Sequence, residues 1–286
     1  VVVVTINYRL NLFGFLAVPE LDNEGHMFSN YGIMDQQFAL EWVQKNIAAF
    51  GGDPNNVTIF GESSGGRAVW DHMISPLSKG LFHRAISHSG SMDGQYDVAV
   101  NQKKGIAFAK AVGCVNATAS CLRGLSVQEI QAKAGKYNKL DYVSIDGAVI
   151  TQTRKAAFES GNFNRVPVIN GTNKDENRWK VALGVELIKR KPPLTEDQYP
   201  TLIKKKYKAN ADKVLAEYPL SNYSTTSEAL SAAQGDSGRI CSELRVSQTL
   251  SQHVPVFVYE VADRTMPSYL EPVSFPLGAY HTGEIH

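Results

Sequence analysis

Residues 58–70 read TIFGESSGGRAVW, with two adjacent serines set among glycines. The run NVTIF (56–60) has the apolar, β-branched character of a strand, and SGGRAVWDHMI after it is compatible with a helix. Gly61, Ser63 and Gly65 satisfy the pattern G-x-S-x-G. That pattern puts a serine on a strained turn between strand and helix, where glycines remove side chains that would clash with the backbone. Ser63 is therefore the candidate nucleophile, and Ser64 is the residue after it. In a chain with 23 glycines the pattern alone is weak evidence; the strand before it and the helix after it strengthen it.

The segments around this turn repeat the same alternation. VVVVTINYRL (1–10) reads as a strand buried on both faces, as in a parallel sheet. DQQFALEWVQKNIAAFGGDP (35–54) places Ala39, Trp42, Val43, Asn46, Ile47 and Phe50 at helical spacing and stops at Gly51, Gly52 and Pro54. RAISHSG (84–90), VPVIN (166–170) and VPVFVYEV (254–261) are further strands. Strand, helix, strand, helix, strand implies an α/β fold: a mostly parallel central sheet with right-handed crossovers and covering helices. Long helical insertions are expected over approximately residues 95–160 and 177–252, with a capping box at Ser126 and Glu129. One α/β domain over residues 1–286 accommodates all of this without a flexible linker.

The 286 residues, 43% hydrophobic and 20% charged, are enough to bury a large core. A formal net charge of +1 gives no broad electrostatic reason to expect nucleic acid or an anionic membrane as partner. The basic stretch Lys189 to Lys208 reads as a solvated helix face. No run approaches the roughly 18 apolar residues of a membrane span, and the opening residues lack the basic flank of a signal peptide. The chain starts without Met inside a strand-like run, so it is expected to be a piece of a longer protein. Nothing indicates a metal or an organic cofactor, and no cysteine pair has metal-site spacing.

Cys114 and Cys121 can close a short disulfide loop in an exported protein, which favours an extracellular or periplasmic location over the cytoplasm; Cys241 is expected to be a free, buried thiol. Four glycosylation sequons occur, at Asn56, Asn116, Asn170 and Asn222, the first and third in core-like strand segments and therefore read as incidental.

A serine hydroxyl needs a base, and the base needs a carboxylate to orient it. On a strand–turn–helix serine the chain order is Ser, acid, His. His26 precedes the serine, His72 and His83 lie on or near the following helix, His88 precedes any acid, and His253 sits at the entry to a strand. His281, in PLGAYHTGEIH beyond the last strand, has the right order. For the acid, Glu176 and its neighbour Asp175 both follow the strand ending at Asn170, and the pattern prefers neither.

Several long stretches then resemble the type-B carboxylesterase family, the α/β-hydrolases that include carboxylesterases and cholinesterases. They are VVVVTINYRLNLFGFL, NYGIMDQQFALEWVQKNIAAFGGDPNNVTIFGESSGG, SPLSKGLFHRAISHSGS, GTNKDE and GAYHTGEI, so the likeness covers nearly the whole chain. The resemblance implies an α/β-hydrolase fold and a serine ester hydrolase acting on small-molecule esters. By it Ser63 is the nucleophile, Glu176 the acid, and His281, in the family's H-x-x-E motif, the general base. Ser89 matches a family serine that supports the acid from behind, and Glu62 a family acidic residue expected to tune site electrostatics. The Ser64 backbone N–H is one expected oxyanion donor, where the family usually has Ala.

The family's remaining oxyanion donors come from an HGG-type loop, and residues 1–286 contain no HGG. Nor does the chain run on into the helices that family members carry after the histidine. As a whole polypeptide it is expected to fold poorly and to be nearly inactive; as part of a longer chain, to be an active esterase. Ala68 replaces a frequent family serine, and Asn11 a frequent glycine, which asparagine tolerates because it accepts positive φ. The competing readings are a lipase-like or other acyl hydrolase on the same triad, and a non-catalytic adhesion or binding homologue in which the serine or histidine would be missing.

Overall fold

The computed structural model describes residues 1–22, 29–137 and 142–285, so His26 lies outside the described residues. Six strands are present among them: β1 (Thr58–Glu62), β2 (Arg84–His88), β3 (Gln95–Asp97), β4 (Val143–Ile145), β5 (Val168–Asn173) and β6 (Val256–Val261). β1, β2, β5 and β6 form one parallel sheet in the order β1-β2-β5-β6. β3 and β4 make a separate parallel pair that the sequence pattern did not reveal.

The register puts Ile59, Ala85 and Val168 side by side on one face of the sheet. The helix Ser64–Ile74 packs there against β1 and β2, and Cys241–Leu250 against β5 and β6. With Trp70, Met73, Phe158 and Leu250 these residues make the main core. The opposite face carries the row Phe60, Ile86, Ile169 and Phe257 across the four strands. Phe60 is 65% exposed and Phe257 64%, so this row faces outward in the described structure.

The helical region has its own core, centred on Tyr199, Ile203, Leu230 and Phe275. The expected capping box is present at the start of the helix Val127–Tyr137: Ser126 N–H donates to Glu129 Oε2 at 2.7 Å and Glu129 N–H to Ser126 Oγ at 3.2 Å. Asn11 takes the positive φ anticipated for it, 50°.

Four expectations need correction. Residues 1–10 form no strand and are mostly exposed. A β-branched run becomes a strand only where an edge pairs with it, and here a cavity of about 960 Å³ lies between Val1–Ile6 and the β1 side of the sheet. Of the stripe expected on the helix Tyr31–Asn46 and its last turn, Val43 and Ile47 are buried, together with Ile33, Gln36 and Gln37, while Trp42 and Phe50 are exposed. Those two rings instead pack on each other at the surface, with centroids 5.8 Å apart. Cys241 is free but exposed, because it opens its helix on the solvent side. Asn170 is buried in β5, donating to Ser247 Oγ at 2.9 Å, as the sequon reading requires, but Asn56 is exposed in the loop before β1.

Cys114 and Cys121 form a disulfide with Cα atoms 5.7 Å apart, beside the small core of Val18, Ala109 and Leu122. They are 7 residues apart, so the loop-entropy relation gives about 2–3 kcal/mol of stabilisation. Replacing both by alanine is expected to lower the unfolding free energy by that amount in urea titration. An unchanged midpoint would show that the crosslink constrains nothing in the unfolded chain.

Candidate active site

β1 ends at Glu62, and the chain turns at Ser63 directly into the helix Ser64–Ile74. Ser63 has φ 57° and ψ −112°, a conformation that side chains rarely adopt and that costs on the order of 1–3 kcal/mol. Its N–H donates to the His88 carbonyl at 2.9 Å, tying the turn to the end of β2. A Cβ at Gly61 would lie 2.4 Å from the Gly65 backbone, so glycine is required there. Gly65 itself would meet nothing within 4 Å, whereas Gly66 and Gly90 press on each other across the turn. The close approach is therefore made by Gly61, Gly66 and Gly90. The Ser64 N–H opens the helix and has no acceptor within it, which leaves it free to meet an anion.

His281 lies in the turn after the helical region, and its ring spans the gap between two elements. Nε2 is 2.8 Å from Ser63 Oγ and Nδ1 is 2.7 Å from Glu176 Oε2. Because a carboxylate only accepts, Nδ1 carries the proton and Nε2 presents its lone pair to the serine hydroxyl. Glu176, 2% exposed, follows β5 and is held from behind: Ser89 Oγ donates to Oε1, as does the Asn173 N–H at 2.9 Å. Burial works to raise its pKa, but the hydrogen bond and charge of His281, with Arg239 at 3.6 Å and Ser89, outweigh it, and the carboxyl is held below the usual range.

Asp175, the rival acid, points elsewhere. Arg264 grips it through two bonds of 2.8 and 2.9 Å, Arg178 lies at 3.1 Å, and the Ala279 N–H donates to it at 3.0 Å. It pins the loop that delivers His281. Gly278 is required in that loop, since its φ is 59° and a Cβ would collide with the Asp175 carboxylate.

Of the other histidines, His72 is a satisfied core residue between Gln36 Oε1 (2.8 Å) and Ser78 Oγ (2.9 Å), its pKa lowered to about 4 by burial. His83 accepts from the Val57 N–H. Glu62 comes within 3.3 Å of His281 Nε2, so all five side chains singled out by sequence around the triad, Ser63, Glu176, His281, Glu62 and Ser89, meet at one point.

One neighbour went unread in the sequence. Trp179 stacks on the His281 ring, centroids 5.1 Å apart and planes at 21°. Its position three residues past Glu176, in the helix Arg178–Ala182 that follows the acid's turn, was the available signal. His88 carries a second network, described below.

The carboxylesterase family model matches residues 1–286. The chain belongs to the carboxylesterase family. Acylcarnitine hydrolase of Mus musculus is 34% identical over 99% of this chain and 52% of that protein. Acetylcholinesterase 4 of Caenorhabditis briggsae is 36% identical over 74% of the chain and 37% of that protein. Carboxylesterase 1D of Rattus norvegicus is 41% identical over 63% of the chain and 34% of that protein. The chain thus spans about half, or less, of the length of these relatives. Membership of the carboxylesterase family brings the α/β-hydrolase fold, to which the parallel sheet and its covering helices correspond. No helix among the described residues is long and apolar enough to cross a membrane.

Proposed function

We propose that the protein carrying this chain hydrolyses carboxylic esters of small molecules through an acyl-enzyme on Ser63. The observation that carries this reading is the unbroken hydrogen-bonded line from Ser63 Oγ through His281 to Glu176. An arrangement with the lone pair of Nε2 facing the hydroxyl needs no rearrangement to start the reaction.

Ser63 Oγ attacks the ester carbonyl while His281 Nε2 takes its proton. Glu176 stabilises the imidazolium through Nδ1. The Ser64 N–H is one oxyanion donor, and each such donor contributes roughly 3 kcal/mol of barrier lowering. The imidazolium then protonates the leaving alcohol, a water activated by the same nitrogen attacks the acyl-enzyme, and the carboxylic acid departs. Family kinship with proteins named for ester hydrolysis supports the class of substrate. The Cys114–Cys121 disulfide supports an exported location, since such bonds persist in oxidising compartments.

The experiment is reaction with a fluorophosphonate followed by peptide mass spectrometry. Phosphonylation of Ser63 is expected. Modification at Ser64 or elsewhere, with Ser63 untouched, would overturn the assignment.

A further inference from the structure

Beside the triad lies a second cluster of titratable groups at the C-terminal ends of the strands. Glu62 comes from β1, His88 from β2, Asn173 from β5, Tyr259 from β6, and Glu284 from the turn after His281. Proton counting fixes much of it. The Asn173 amide nitrogen donates to the Tyr280 carbonyl at 2.7 Å and to Glu284 Oε2, so its oxygen can only accept. His88 Nε2, 2.9 Å from that oxygen and 3.0 Å from Glu284 Oε1, therefore carries a proton.

His88 Nδ1 faces the Tyr259 hydroxyl at 2.5 Å. A neutral ring accepts the phenolic proton and a charged ring donates to the phenolic oxygen, so both charge states are hydrogen-bonded. Glu62 Oε1, by contrast, is buried with no hydrogen-bond partner, 3.3 Å from the nitrogen that faces Ser63.

We propose, on the esterase reading above, that His88 is a positioning residue: paired with Glu284, it sets the charge carried by Glu62, and that charge decides whether His281 Nε2 is open to the Ser63 hydroxyl. A neutral Glu62 has an O–H that can donate to Nε2 and occupy the lone pair the serine needs. An ionised Glu62 has only lone pairs, leaves Nε2 to Ser63 and favours the imidazolium formed in acylation. Burial, then the charge of Glu284, push the Glu62 pKa up to about 7, while His88 pulls it down; of the other charges nearby, Glu176 raises it and Arg239 lowers it. Burial works against a charged His88, but the hydrogen bond and charge of Glu284 outweigh it and its pKa is raised. Glu284, also opposed by burial, is held low by His88 and Asn173. His88 touches no reacting atom and acts only through these carboxylates.

The test is the pH dependence of the rate at which a fluorophosphonate labels Ser63, for the parent protein, His88→Gln, Glu284→Gln and the double variant. Glutamine at 88 can still donate to Asn173 but is never charged. It leaves Glu284 uncompensated, keeps Glu62 protonated to higher pH, and is expected to move the acid limb of the profile up by about one pH unit. Glu284→Gln removes the negative charge and is expected to move the limb down, with the double variant returning toward the parent. A merely structural role would lower the plateau in both single variants without opposite movements of the limb, and would overturn the inference. If His88→Gln fails to fold, Glu284→Gln decides alone: a downward shift supports the inference and an unmoved limb refutes it. A parent labelled at Ser63 with immobile limbs refutes only the role of His88, whereas a parent never labelled at Ser63 removes the esterase reading as well.

Discussion

Ser63→Ala is expected to lower ester turnover by about 10⁶-fold while leaving the fold intact, because the only atom lost is the attacking oxygen. An alanine side chain can still be accommodated at the turn, whose geometry is imposed by Gly61, Gly66 and Gly90 and by the backbone N–H bond from this position to His88. The same assay separates the two candidate acids. Glu176→Gln puts an amide against His281 Nδ1, which favours the wrong tautomer, and is expected to reduce kcat by about 10⁴-fold. Asp175→Asn weakens two arginine contacts and the loop of Ala279 instead. Its main effect is expected in equilibrium unfolding, about 2–3 kcal/mol, with a far smaller loss of kcat. Steady-state kinetics on a chromogenic ester checks all three, and residual activity within tenfold of the parent for Ser63→Ala would sink the mechanism.

The second large effect is on stability. Arg154 and Asp71, each 1% exposed, make a two-pronged ion pair at 2.9 and 2.6 Å. Arg154 also donates to the Asp93 carbonyl at 2.6 Å, and its N–H to Gln95, which in turn bonds Asp71. The pair fastens the helix that begins at Ser64 to the helix Arg154–Ser160 and to β3. Arg154→Met leaves a buried carboxylate without its cation and is expected to cost about 3–5 kcal/mol in guanidinium denaturation. Arg154→Met with Asp71→Leu is expected to recover much of that, since no charge remains to be desolvated. A single-variant loss below about 1 kcal/mol would show that water reaches the pair.

How far sequence alone reached depended on whether a feature is local. The elbow at Ser63 and the capping box of Ser126 and Glu129 are written in nearby residues, and each is present; the positive φ of Asn11 followed from the glycine that the resembled family carries there. The strands flanking the turn were legible because buried parallel strands are continuous apolar runs. The choice between Asp175 and Glu176 was not, because adjacent residues after a strand point to opposite sides and only the positions of Arg264, Arg178 and His281 separate them. Family resemblance supplied the preference that spacing withheld. The network of His88, Asn173, Tyr259 and Glu284 was illegible for the same reason, being drawn from separate strand ends and the final turn. VVVVTINYRL shows the opposite failure: strong local character with no paired edge to act on.

The hydrogen bond between Ser63 and His281 joins residues separated by 218 positions, with β2, β5, β6 and the whole helical region between them. The two side chains meet only when a loop spanning most of the chain has closed, so the activated serine depends on long-range structure. Its reactivity thus reports the closure of this long-range contact, which secondary structure alone does not supply.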